Sequence, residues 1–154
     1  MKEITKKTIL LLAFTVLAFA GCKSPERLTI ISTTPEFDRN ETWVLVSIFG
    51  KEVKYTENQR EVTINFNPDA HTYGGNSGCN SYGGSFRDRG RGRMTLNESK
   101  EGMLRTLMAC SEESMELESK YLFVLSKCDH YNLGEYSLEL LVGDQVVLTF
   151  TKEE

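Results

Sequence analysis

The chain has 154 residues, a formal net charge of −4 and 40% hydrophobic residues. That length suits one domain behind a short leader. The acidic balance disfavours nucleic acid as a partner, because binding it requires a clustered positive surface.

The first element is an export leader, residues 1–22. Lys2, Lys6 and Lys7 form a basic start, and Ile9 to Ala18 an apolar run too short to span a bilayer. Phe19-Ala-Gly-Cys22 closes it with small residues before a cysteine. This ending resembles the bacterial lipoprotein signal, in which Cys22 is lipidated and becomes the first residue of the mature chain. An ordinary signal peptide or an uncleaved anchor is the alternative. Lipid on Cys22 would hold the protein at a membrane, since each buried methylene contributes roughly 0.8 kcal/mol. Residues 23–40 mix Ser, Thr, Pro and charges without sustained periodicity and read as a flexible tether.

Residues 41–154 read as one domain. Trp43, Leu45 and Ser47 alternate with Val44 and Val46, and Gly50 ends the run. Val62, Ile64 and Phe66 alternate with polar neighbours, and Pro68-Asp69 turns the chain. His71 and Tyr73 lead into a glycine-dense loop. Short strands follow at Tyr82 to Phe86 and Met94 to Leu96. Ser111 to Lys127 is a helix, with Ser111 as N-cap, Glu112 and Glu113 in the first turn and Lys127 in the last. Its apolar stripe is Leu117, Tyr121, Val124, Leu125 and Cys128; its wet face is Glu112, Glu113, Glu116 and Glu118. Leu138, Leu140 and Val142 alternate next, Gly143-Asp144 turns, and Val146 to Phe150 ends the domain. Period-two alternation indicates strands with one buried face. The fold class is α+β: an antiparallel sheet curled around, or closed over, one main helix.

Two motifs stand apart: Gly78-Cys-Asn-Ser-Tyr82 with Gly84 and Phe86, and Thr106-Leu-Met-Ala-Cys110. With Trp43 at the start and Leu138-x-Leu140 near the end, they resemble the META domain, the HslJ-like family of bacterial envelope proteins, over residues 41–151. The resemblance implies a small mixed fold with a strongly bent, barrel-like antiparallel sheet packed around or against one main helix, and frequent lipoprotein anchoring. It also implies links to heat shock and novobiocin tolerance, with no established catalytic residue. Trp43, Gly78, Asn80, Tyr82, Gly84 and Thr106 carry over as signature positions without an assigned role.

The candidate chemistry is sparse. Outside the cytoplasm a cysteine pair should oxidise where geometry allows, and Cys79 with Cys110 is the preferred pair. Cys128, ending the helix stripe, reads as a buried thiol; that all three are plain core residues stays open. A zinc site would need Cys79, Cys110 and Cys128 with His71 or His130, yet no Cys-x-x-Cys hairpin exists. Ser77, Ser81 and Ser85 lie near His71 in sequence, but nothing fixes a nucleophile–base pair and Gly-x-Ser-x-Gly is absent. Arg87, Arg89, Arg91 and Arg93 read as a solvated hairpin tip, or as a contact for an anionic surface such as lipid headgroup phosphates.

The resulting expectation is a non-enzymatic, monomeric, lipid-anchored envelope protein without cofactor. It would sit at the outer membrane, facing the periplasm or cell surface, in a stress-related binding or structural role. Its partners are the membrane and an envelope protein or anionic surface, not nucleic acid. The alternative is an envelope enzyme or metal protein using His71 or His130 with the three cysteines.

Overall fold

The structure, a computed structural model, describes residues 36–99 and 101–153. The leader, Cys22 and most of the segment read as a tether lie outside the described residues.

The strands are β1 (Thr42–Ile48), β2 (Lys51–Glu52), β3 (Thr63–Asn67), β4 (Thr72–Asn76), β5 (Ser81–Gly90), β6 (Arg93–Leu96) and β7 (Leu104–Arg105). Helix α1 (Glu112–Leu125) precedes β8 (His130–Leu133), β9 (Ser137–Val142) and β10 (Gln145–Lys152). Antiparallel pairing runs β1-β3-β4-β5-β6-β8-β9-β10, and β10 returns to β1. Eight strands thus close a barrel, which leaves the strands of the closed path without the long open edges that would otherwise invite aggregation. β2 extends β1, and β7 adds to β5 at Tyr82 and Gly83.

The alternating residues fill the interior. Trp43, Leu45, Ile64, Phe66, Phe86, Leu138, Leu140 and Phe150 are all at most 2% exposed. A bulge between Leu45 and Ser47 shifts the inward register, so Ile48 rather than Ser47 enters the core. At β9 the core residues are Leu138 and Leu140, while Val142, expected inward, is exposed beside the Gly143 turn. β8 has only four residues and was not legible as a strand, and the Arg-rich stretch is mostly strand: Arg87 to Gly90 belong to β5. The turn itself is Arg91-Gly92; with Gly90 before it, all three take positive φ, where glycine carries little strain.

Phe37, in the stretch read as a tether, is buried. Its ring lies 4.3 Å from Phe66 and 4.7 Å from Tyr131 between centroids, with Phe86 edge-on at 5.4 Å. Near it are Pro68 and Asp69 of the β3–β4 turn. Helix α1 lies instead by the β4–β5 turn, where Gly78 approaches Leu117. Tyr121, Leu122, Val124 and Leu125 of α1 join the barrel core, and Ser111 caps the helix by accepting from the Ser114 N–H. Lys127 falls beyond the last turn, which ends at Leu125; its ammonium sits 5.7 Å from the Phe123 ring instead.

Candidate functional site at the disulfide-bound corner

The two motifs meet. Cys79, in the β4–β5 turn, is bonded to Cys110, just before the helix cap, with Cα atoms 5.9 Å apart. Cys128 is a buried free thiol whose pKa burial pushes up to about 12.

The glycines place this corner by close approach. A Cβ on Gly75 would sit 2.0 Å from the Thr63 carbonyl oxygen, so any side chain there would push β4 off β3. Gly84 is closed in by Asn97 and Tyr73, which bond each other through the tyrosine hydroxyl at 2.9 Å.

Asn80 organises the corner. Its Oδ1 accepts from the Thr106 hydroxyl at 2.9 Å and from the Met108 N–H at 2.7 Å. Its Nδ2 donates to the Glu118 carboxylate at 3.1 Å and to the Cys79 sulfur at 3.3 Å. The loop 106–108, the turn 77–80 and helix α1 are therefore joined by one amide. This gives Asn80 and Thr106 of the signature a structural role. Tyr82, another signature residue, donates to the Thr63 carbonyl and lies 2.5 Å from the Tyr121 hydroxyl. Burial raises the pKa of both phenols well above the usual tyrosine value.

Glu118 overturns its sequence assignment. It is 6% exposed, not on the wet face of the helix. A buried carboxylate is stable only when its oxygens are satisfied. Oε2 accepts from the Ser77 hydroxyl at 2.5 Å and the Asn80 N–H at 3.0 Å, and Arg105 approaches Oε1 at 3.6 Å. The donors come from a turn distant in sequence, so helical spacing alone carried no signal for them.

The remaining candidates are dispersed. Ser77 is fully buried, and His71 lies at the opposite end of β4 in an exposed turn, so the two form no nucleophile–base pair. His130 bonds Asp129 through Nδ1 at 2.8 Å. Among the described residues no three His, Cys, Asp or Glu side chains converge on a metal position, and the disulfide occupies two of the three cysteines of the zinc alternative. Arg87 and Arg89 both pair with Glu98, while Asp88 accepts from the Tyr131 hydroxyl at 3.0 Å. The tip thus presents Arg91 and Arg93 as its unpaired cations among the described residues.

Outside this corner's polar interior lies an apolar exterior. Leu107 is 84% exposed, with Leu104, Met108 and Met115 also exposed. A cleft of about 340 Å³ runs between residues 105–109 and α1, lined by Leu107, Met108, Ala109 and Met115 above Asn80 and Glu118. A second, of about 510 Å³, opens on the other side of the disulfide against Thr56 to Arg60.

Comparison with known proteins bears on the fold. The META domain family model matches residues 36–154. No curated protein matches the chain. A protein from Burkholderia xenovorans, solved by NMR, is similar over 79% of this chain and 93% of its own, at 21% identity and a TM-score of 0.59. Another NMR structure is similar over 73% of this chain and 89% of its own, at 24% identity and a TM-score of 0.54. At these identities the likeness is one of fold.

Proposed function

The chain belongs to the META domain family, and on that premise we propose that it is a non-enzymatic binding module of the bacterial envelope. In this reading lipid on Cys22 tethers the barrel to a membrane, and the disulfide-bound corner engages another envelope protein. The role is a stress-related one, as the family resemblance implies.

One observation carries the binding reading. Leu107, the most exposed large apolar residue described, sits on a loop held firmly by Asn80 and by the disulfide. Exposing apolar side chains on a rigid support costs solubility, and such patches mark interaction sites. The polar groups beneath the loop are spent on one another. The buried Glu118 and Ser77, the groups most suggestive of chemistry, are bonded together inside the corner.

The test is photo-crosslinking in cells from a reactive residue placed at position 107, with position 142 as the control. A specific crosslinked envelope protein at 107 and none at 142 is the expected result. Equal or absent products at both positions would sink the binding reading. The anchor is tested separately by intact mass: Cys22→Ser should lose the lipid mass, and an unchanged mass refutes lipidation.

A further inference from the structure

We infer that the corner takes an extended peptide segment, apolar and flanked by Lys or Arg, laid between the open edge of the β7 segment and helix α1. This deepens the binding reading above and rests on it.

The backbone supplies the first argument. β7 pairs with β5 through Tyr82–Arg105 and Gly83–Leu104. The Thr106 N–H donates to the Ser81 carbonyl at 3.0 Å, and the Met108 N–H is taken by Asn80. In an antiparallel ladder bonded positions alternate with non-bonded ones. Arg105 and Leu107 are therefore the positions whose N–H and C=O turn away from β5. β8 does not cover them: its ladder partners are β9 along its length and β6 only at Arg93–His130. An edge with unpaired donors and acceptors is a template for one more strand.

The groove supplies the second. The open edge faces a helix wall across the 340 Å³ cleft, with Leu107, Met108 and Met115 as its apolar lining. A strand alternates its side chains, so an occupant paired with Arg105 and Leu107 would place alternate residues on this lining. Methionine is well suited to such a wall, since its flexible thioether adapts to different apolar partners.

Charge supplies the third. Met115 continues into a neighbouring hollow shared with Cys110, Glu112, Glu116 and Ser119. Both glutamates are exposed and make no ion pair among the described residues. An acidic rim beside an apolar groove favours a cationic flank, and it disfavours a second copy of this acidic chain.

The test pans a phage-displayed library of random linear peptides on the purified full chain, then measures the selected peptides by fluorescence anisotropy. Peptides with alternate apolar residues and a Lys or Arg flank should be enriched. Leu107→Asp and the double change Glu112→Lys with Glu116→Lys should each weaken binding by about tenfold or more, and Arg91→Glu should leave it unchanged. Amide exchange should slow at Arg105 and Leu107 on binding. Protection confined to Arg87–Arg93, binding indifferent to Leu107→Asp, or dimerisation through this face overturns the proposal. A folded partner crosslinked from position 107 while panning yields no dependent peptide also overturns it, yet leaves the binding module standing.

Discussion

Removing the Asn80 amide separates the elements that it joins, and Asn80→Ala measures how much they depend on it. The substitution deletes two bonds accepted by Oδ1, from Thr106 and Met108, each worth about 1 kcal/mol. It also withdraws a donor from the buried carboxylate of Glu118, a charged bond worth about 2 kcal/mol. Thr106 and Met108 are exposed enough for water to replace part of what they lose. The net expectation is a loss of about 3 kcal/mol, read as a lower urea midpoint with unchanged slope. Asn80→Asp should be worse than Ala, because it turns an oxygen toward Glu118 where the NH₂ had donated. Thr106→Val alone should cost about 1 kcal/mol, and the double mutant should lose less than the two single losses together, since both remove the same bond. With the disulfide reduced, the loop is held by Asn80 and by its bonds to Ser81, so removing Asn80 should hurt more. A loss below about 1 kcal/mol for Asn80→Ala, or strict additivity with Thr106→Val, would refute the clamp.

Three other outcomes follow from the packing, the disulfide and the buried phenols. Phe37→Ala should cost about 3 kcal/mol by emptying the space against Phe66, Phe86 and Tyr131, and a small aromatic solute should recover part of it; an unchanged melting temperature rejects that packing. Replacing Cys79 and Cys110 together by Ala should cost about 3.7 kcal/mol by the chain-entropy argument for partners 31 residues apart, and reductant should then have no effect on the variant's unfolding midpoint; a variant as stable as the parent contradicts it. In alkali, Tyr55 and Tyr73 are held up at about 12, chiefly by burial, as is Cys128. Their folded values exceed their unfolded ones, so this stability is complete below about pH 9 and is lost as pH climbs toward 12. Tyrosinate absorbance should therefore rise together with loss of circular dichroism, and smooth titration at pH 10 in a folded protein would overturn the burial argument.

Much of the frame was legible from local pattern. Alternation at Val62, Ile64 and Phe66 survives as β3, because a two-residue period has only one way to bury its apolar side. Ser111 and the two following glutamates fixed the start of α1, since a cap acts on the next turn alone. Cys79 and Cys110 were pairable from their places in the two motifs. Glu118 was misplaced for the complementary reason. On the helix it looks like Glu112 and Glu116, and its burial depends on Ser77 and Asn80, about forty positions upstream. Phe37 escaped notice because a lone aromatic in an irregular stretch has no period to betray it. The arginine run reads as a solvated hairpin tip or an anionic-surface contact; its pairing of Arg87 and Arg89 with Glu98 depends on the chain's return.

By itself, then, the sequence determined most of the strands, the helix and the family signature, each set by neighbours a few residues apart, and it offered Cys79 and Cys110 as a pair 31 residues apart. Only the tertiary structure decided that β10 closes onto β1, that Phe37 fills the barrel beside the β3–β4 turn and that Glu118 is internal. It also turned the Thr106–Cys110 motif into a rigid ledge with Leu107 outward and Asn80 beneath. Whether a polar group is buried depends on donors brought from elsewhere in the chain, and those arrive only when the barrel closes.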